Sequence, residues 1–446
     1  MNEQPSTHVR GPRGQAFADL VRGIAPEQLL CVSLDISKYF HVVMIHNGLG
    51  EIVTPTFDID IYQTGFDQLG QAIARAKATT QAQVVLVGME PTSHYFENLA
   101  RHLLQQAQPV KLINSFAVKQ NREQHLMRRE KTDQIDVAAI GDLLRRGEGT
   151  PYHPATGVYL QLQQLDRVRL GKVRLASILK NQIIAHLDRI FPGLLILDAA
   201  AQQRYTPLFN TDFWHCQTLQ DLIRICPNPH DLITLTPVQL VQAFHAQHCR
   251  LGPATAAKII AQAHKTLLPD AELAAIRCEL LRHDLALLET VQTHLAQFES
   301  RLAELVAQTP YHIWANLQGL SVVQVASLAA AIGDPANYTD AKQIFRRSGL
   351  VSGRNDSGNH QRKGKGNSIL KTGDVYLRRA LMSATATLIL HQPVLARYSK
   401  QLQITKPAGV ARARDHLRRR QLRNIWRAGQ QEDTEQQQNE TGFLHG

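Results

Sequence analysis

"LLCVSLDISKYFHVVMIHNGLGEIVTPTFDI", residues 29–59, is the stretch on which the fold turns. Its first apolar run, with Val32 and Leu34 leading to Asp35, reads as a strand, and two further runs follow it. Asn47-Gly48 between those runs is a hairpin-turn signal. Downstream the pattern alternates: a helix over about 65–79, a buried strand QVVLVGM at 83–89, a helix over about 92–107 and a strand VKLINS at 110–115. Another helix opens inside "RREKTDQIDVAAIGDLLRRG", residues 128–147. An antiparallel start followed by alternating strands and helices predicts one mixed α/β sheet, a domain over residues 29–155.

Working outward, residues 1–28 are polar and Gly/Pro-punctuated and read as a flexible arm. From 156 to 308 the texture is long and helical. Leu162, Leu165, Val168, Leu175, Leu179, Ile183, Leu187 and Ile190 repeat at near-heptad spacing, as do residues from Leu273 to Leu305. Two such helices predict an antiparallel coiled-coil arm, with the core helices of a bundle as the alternative. A helical insertion over about 195–268 separates them. Residues 309–428 form a mostly helical third domain, and 429–446 a Gln/Glu-rich, disordered tail. The fold class expected is therefore α/β plus α.

The chain has 446 residues, too many for one core, and 43% of them are hydrophobic. Its net charge of +11 favours a polyanionic partner, nucleic acid before membrane. No apolar run is long enough to span a bilayer, and the first residues lack a signal-peptide core, so no membrane partner and a cytoplasmic location are expected. Five cysteines without a CxxC pair fit reduced thiols and exclude a zinc ribbon.

Four acids carry the candidate chemistry. Asp35 closes the first strand, Glu90 follows the buried strand VVLVGM, and Asp133 and Asp136 sit three apart at the head of a helix. In α/β sheets functional groups gather where strands end and helices begin. Four carboxylates there could hold two Mg²⁺ ions, because hard cations take oxygen ligands, and a metal pair can stabilise both oxygens of a phosphodiester exchange. Taken singly, each acid is first a turn or cap residue.

Three segments together, VSLDISKYF, LVGMEPTSHYFENLA and REKTDQIDVAAIGDLL, resemble the DEDD transposases of the IS110 insertion-sequence family, relatives of the Piv DNA invertases. A downstream block, GLVSGRNDSGNHQRKGKGNSILKTGDVYLRRAL, is similar to the family's second block. The resemblance implies a RuvC-like, RNase H-type first domain in which Asp35, Glu90, Asp133 and Asp136 are catalytic and bind metal, Mg²⁺ or alternatively Mn²⁺. It also implies that Ser357, in the pair Ser357-Gly358, is a nucleophile forming a transient phosphoserine–DNA link. By itself Ser357 in RNDSGNH is a turn residue, with Ser352 and Ser368 as neighbouring alternatives. Ser352 stands where the family block often has proline, and Asp374 brings an acid where DNA contact is expected.

The function implied is that of a bacterial, nucleoid-associated transposase acting on double-stranded donor and target DNA. A noncoding bridge RNA would guide it, and a dimer or tetramer would bring two duplexes together. The alternatives are a Piv-type invertase and a RuvC-like nuclease or junction resolvase without serine chemistry. Weaker signals are a helix-hairpin-helix resemblance in LQGLSVVQVA, with Ser321 at the second glycine position, and a basic loop RKGKGNS suited to nucleic-acid phosphates. His245, His248 and Cys249 have metal-like spacing but no second ligand pair nearby in sequence.

Overall fold

The computed structural model describes residues 11–124, 132–196, 202–205, 207–209, 213–338, 340–350 and 373–405, with the side chains of 11–13, 398 and 402–405 left aside. The chain divides into two compact units, Met1–Pro154 and Ala155–Gly446.

The first unit is a sheet between two helical layers. Its strands are β1 (Leu29–Ile36), β2 (Phe40–Asn47), β3 (Ile52–Asp60), β4 (Val84–Met89), β5 (Val110–Leu112) and β6 (Thr150–Pro151). They lie in the order β3-β2-β1-β4-β5-β6. The hairpin read from Asn47-Gly48 is present: the Asn47 side chain accepts hydrogen bonds from the backbone N–H of Leu49 and Glu51, and Gly50 takes a positive φ of 94°. β1 then pairs in parallel with β4, and β4 with β5. Three antiparallel strands followed by parallel ones give the mixed sheet expected of an RNase H-type domain.

Alternation along the strands feeds two cores. Leu30, Val32, Leu34, Ile36, Val87 and Met89 meet helices α2 (Gln63–Thr80) and α3 (Phe96–Gln105). Leu29, Cys31 and Leu86 face the other way, toward α4 (Ser115–Gln124) and α5 (Asp133–Arg145). The expected arm is structured over Gly11–Leu20, which forms helix α1, because Phe17 and Val21 pack against this second core. Helix α4 was not expected, since its polar sequence SFAVKQNREQ carries little helical stripe.

The second unit is helical. α6 (Gly157–Ile190) is followed by α7 (Gln217–Ile225), α8 (Pro229–Leu232), α9 (Pro237–Ala246), α10 (Pro253–Lys265) and α11 (Ala271–Val306). The 34-residue α6 and 36-residue α11 run antiparallel: Arg169 meets Glu299 at 2.9 Å, and further along His186 meets Asp284 at 3.7 Å. The pair is not a bare coiled-coil arm. Ile183, Leu187, Leu281 and Leu285 share one core with Phe213, Leu222, Phe244 and Ile259, so the insertion closes a bundle around the outer half.

At the other end, Leu162, Leu302 and Leu305 join α12 (Val322–Ile332), α13 (Ala341–Ser348) and α14 (Val375–His391) in a separate core, with α15 (Pro393–Thr405) beyond. The helix-hairpin-helix-like stretch resolves into the start of α12. There Ser321 caps the helix in a capping box with Gln324, which explains a serine where the motif has glycine. All five cysteines are free, and burial pushes the Cys31 thiol up to about 12.

Among the described residues no helix is long and apolar enough to cross a membrane.

Candidate active site

Leu34 pairs with Met89 in the parallel register of β1 and β4, so Asp35 and Glu90 are the next residues on adjacent strands. Continued alternation directs both to the face covered by α5. Glu90 leads into a tight turn in which Thr92 N–H donates to the Glu90 carbonyl at 2.9 Å and Ser93 adopts φ 52°. A non-glycine residue in that region stores strain of the kind found at functional loops.

Helix α5 reaches the same edge. Gly141 lies so close to the sheet that a Cβ would stand 2.1 Å from His46 Nε2 and 2.6 Å from Ser33 Oγ. One turn earlier Val137 packs on Val42 and Met44, and Val42 is the strand partner of Asp35. The helix therefore runs antiparallel to β1, and its first turn, with Asp133 and Asp136, lies toward the edge where β1 and β4 end. Thr132 caps it by accepting a hydrogen bond from Ile135 N–H at 3.3 Å, so the acids complement the helix dipole as first-turn residues do.

The four acids differ in their surroundings. Asp133 is exposed, whereas Asp136 is buried and ion-paired with Arg122 of α4. Among the described residues the buried Arg122 Nε finds no hydrogen-bond partner. Arg122 was missed at the sequence level; its only signal is a cation in the last turn of a helix that periodicity did not reveal. Nearby, Asn121 donates to the Ala139 carbonyl at 3.1 Å and accepts from Arg146, tying α4 to α5. Among the described residues no three His, Cys, Asp or Glu side chains stand together as a metal site. The donor set is nevertheless all carboxylate and lies along one edge, which fits a hard divalent cation in its chemistry, while Asp136 is engaged by a guanidinium.

Ser357 lies outside the described residues, as do Ser352, Ser368 and the RKGKGNS loop. The two ends of the segment that carries Ser357 are described, and they meet. Gly349 ends α13 in the left-handed conformation at φ 65°, and a Cβ on Gly373 would stand 2.5 Å from the Gly349 nitrogen. Asp374 N–H donates to the Arg347 carbonyl at 2.8 Å, and Arg347 Nη2 donates to Asp374 Oδ2 at 3.0 Å. Asp374 also caps α14 by accepting from the N–H groups of Tyr376 and Leu377. The acid at this position is thus a cap and a clamp at the base of the serine segment.

Comparison with known proteins agrees with these two regions. A family model for DEDD transposases of IS110 type, described as "Transposase", matches residues 32–192, from β1 through α6. A second, described as "Transposase IS116/IS110/IS902 family", matches residues 311–400. The chain belongs to the IS110 family of DEDD transposases. It is accordingly a DNA transposase, an enzyme of DNA recombination. The stretch between the two matches holds the insertion and α11.

No curated protein matches the transposase. A solved structure, T. thermophilus RuvC in complex with Holliday junction substrate, aligns with 28% of the chain and 99% of its own at 11% identity and a TM-score of 0.21.

Proposed function

We propose that the transposase cuts and rejoins DNA with two sets of groups, the four carboxylates of the sheet edge and the hydroxyl of Ser357. The observation that carries the first part is the shared edge: β1 and β4 end there with Asp35 and Glu90, and α5 begins toward it with Asp133 and Asp136. These residues would hold Mg²⁺, which supplies Lewis-acid polarisation of a phosphodiester oxygen when bound. The second part rests on the family resemblance of the segment whose base Arg347 and Asp374 clamp.

Ser357 Oγ loses its proton and forms a bond to the scissile phosphorus. The bridging P–O bond of the strand breaks, and its oxygen leaves as a hydroxyl with a proton. Attack of a strand hydroxyl on the phosphoserine reverses the exchange and restores a diester, so no external energy source is consumed. A serine hydroxyl is weakly nucleophilic at neutral pH and needs activation, which the acid edge would provide. Donor and target DNA would be matched through a noncoding bridge RNA, with base pairing carrying sequence choice and the protein contacting backbones. A dimer or tetramer is the assembly that two duplexes require.

The test is to trap the covalent species with labelled DNA from the flanks of the gene under denaturing conditions. Ser357→Ala should abolish the trapped species and strand exchange, while Ser352→Ala and Ser368→Ala keep both. Normal exchange by Ser357→Ala would leave a nuclease without serine chemistry. A structured noncoding RNA encoded beside the gene separates the guided reading from a Piv-type invertase.

A further inference from the structure

Among the described residues of the first unit, the exposed aliphatic side chains are scattered: Leu20 (47%) ends α1 and Ile61 (42%) stands beside Tyr62. Leu49 and Ile52, both aliphatic, stand at the β2–β3 turn. Four rings stand at the opposite edge, where β1, β4 and β5 end: Tyr39 (64% exposed), Phe40 (48%), Tyr62 (69%) and Phe116 (72%). Tyr39 lies in the β1–β2 turn and Phe40 opens β2; Tyr62 follows β3, whose Asp60 pairs with Phe40; Phe116 opens α4 just beyond β5. With strands about 4.8 Å apart, the edge from β3 to β5 is about 19 Å long. Asp35 and Glu90 lie between the rings at its middle.

We infer that these rings are a stacking platform for unpaired bases of the DNA strand brought to the acid edge, an inference that rests on that edge being where DNA is cut. Three observations favour nucleobases as the occupant. Four of the exposed side chains at this edge present π-faces, and every base offers one in return, so such a surface binds single strands without reading sequence. Cations accompany them: the Lys38 ammonium sits 4.8 Å from the Tyr39 ring centroid, and Lys119, one turn along α4 from Phe116 and largely exposed, stands 4.0 Å from the Glu123 carboxylate. Finally, the rings flank the acids on both sides, β3 and the β1–β2 turn on one, β5 on the other. A strand crossing the edge would have its phosphate over the carboxylates and its neighbouring bases over rings.

The experiment compares full-length wild type with Tyr39→Ala, Tyr62→Ala and Phe116→Ala by fluorescence anisotropy, without divalent metal. The probes are a labelled thymidine oligonucleotide, its fully paired duplex and a uridine oligoribonucleotide. Each alanine variant should weaken binding of the thymidine strand about fivefold or more, with duplex affinity within about twofold of wild type. Tyr39→Phe and Tyr62→Phe should bind as wild type, because the ring and not the hydroxyl stacks. Unchanged single-strand binding by the alanine variants, equal losses on duplex and single strand, or losses confined to the uridine strand would each overturn the proposal. Binding is read without cleavage, so a failure of the acid chemistry leaves this result independent.

Discussion

At the scale of single residues, Arg122 and Asp136 form a buried ion pair between α4 and α5. Both side chains are about nine-tenths buried, so removing one leaves a charge without its partner. Arg122→Ala is expected to destabilise the protein by about 3–5 kcal/mol, measured by chemical denaturation. Gly141 is a second fixed point: an alanine there pushes on His46 and Ser33, and Gly141→Ala should cost about 1–3 kcal/mol in the same assay. His46 adds a pH dependence. Burial lowers its pKa from the ordinary 6.5, although Nδ1 sits 2.8 Å from the Asn47 carbonyl. The unfolded chain therefore takes up this proton more readily than the folded one. The contribution of His46 to stability is level above about pH 6.5 and falls as the pH drops below it. His46→Gln should show a smaller loss of denaturation midpoint between neutral and mildly acidic pH than wild type. The positions of Asp35, Glu90, Asp133 and Asp136 at strand ends and a helix start were legible in the sequence. Arg122 and the exposure of Tyr39, Tyr62 and Phe116 were not, because both depend on which elements become neighbours.

At the scale of elements, the alternating strands and the capped start of α5 carried enough local signal to be read. Asp374 shows how tertiary context alters a reading: an acid that looked misplaced for DNA contact caps α14 and holds Arg347. Asp374→Ala is expected to cost about 1–2 kcal/mol through the lost cap, visible as a lower melting temperature. The long pair α6 and α11 was legible as two heptad-like helices, with a coiled-coil arm read ahead of the bundle whose spine the pair forms. The apolar residues of the insertion are spread over short helices, none with a periodic run long enough to declare its partner. Helix α1 escaped notice for a similar reason: Phe17 within it and Val21 just beyond pack against the second core, too few to form a stripe.

At the scale of the whole molecule, the chain is a transposase of net charge +11 with two family-matched regions separated by an insertion, and that charge favours contact with DNA phosphates. Its DNA affinity should fall steeply and log-linearly with salt; a flat response would contradict the electrostatic account. The nucleophile role proposed for Ser357 rests on the family resemblance, since nothing in the periodicity of the sequence points to it. The central claim is that the carboxylates of the sheet edge do the chemistry. Asp133 tests it most directly, because it is exposed and its loss leaves the Arg122–Asp136 pair intact. Strand cleavage by Asp133→Asn should drop at least about a hundredfold, with DNA binding retained and stability lowered by no more than about 1 kcal/mol. Cleavage at the wild-type rate by this variant would contradict the account.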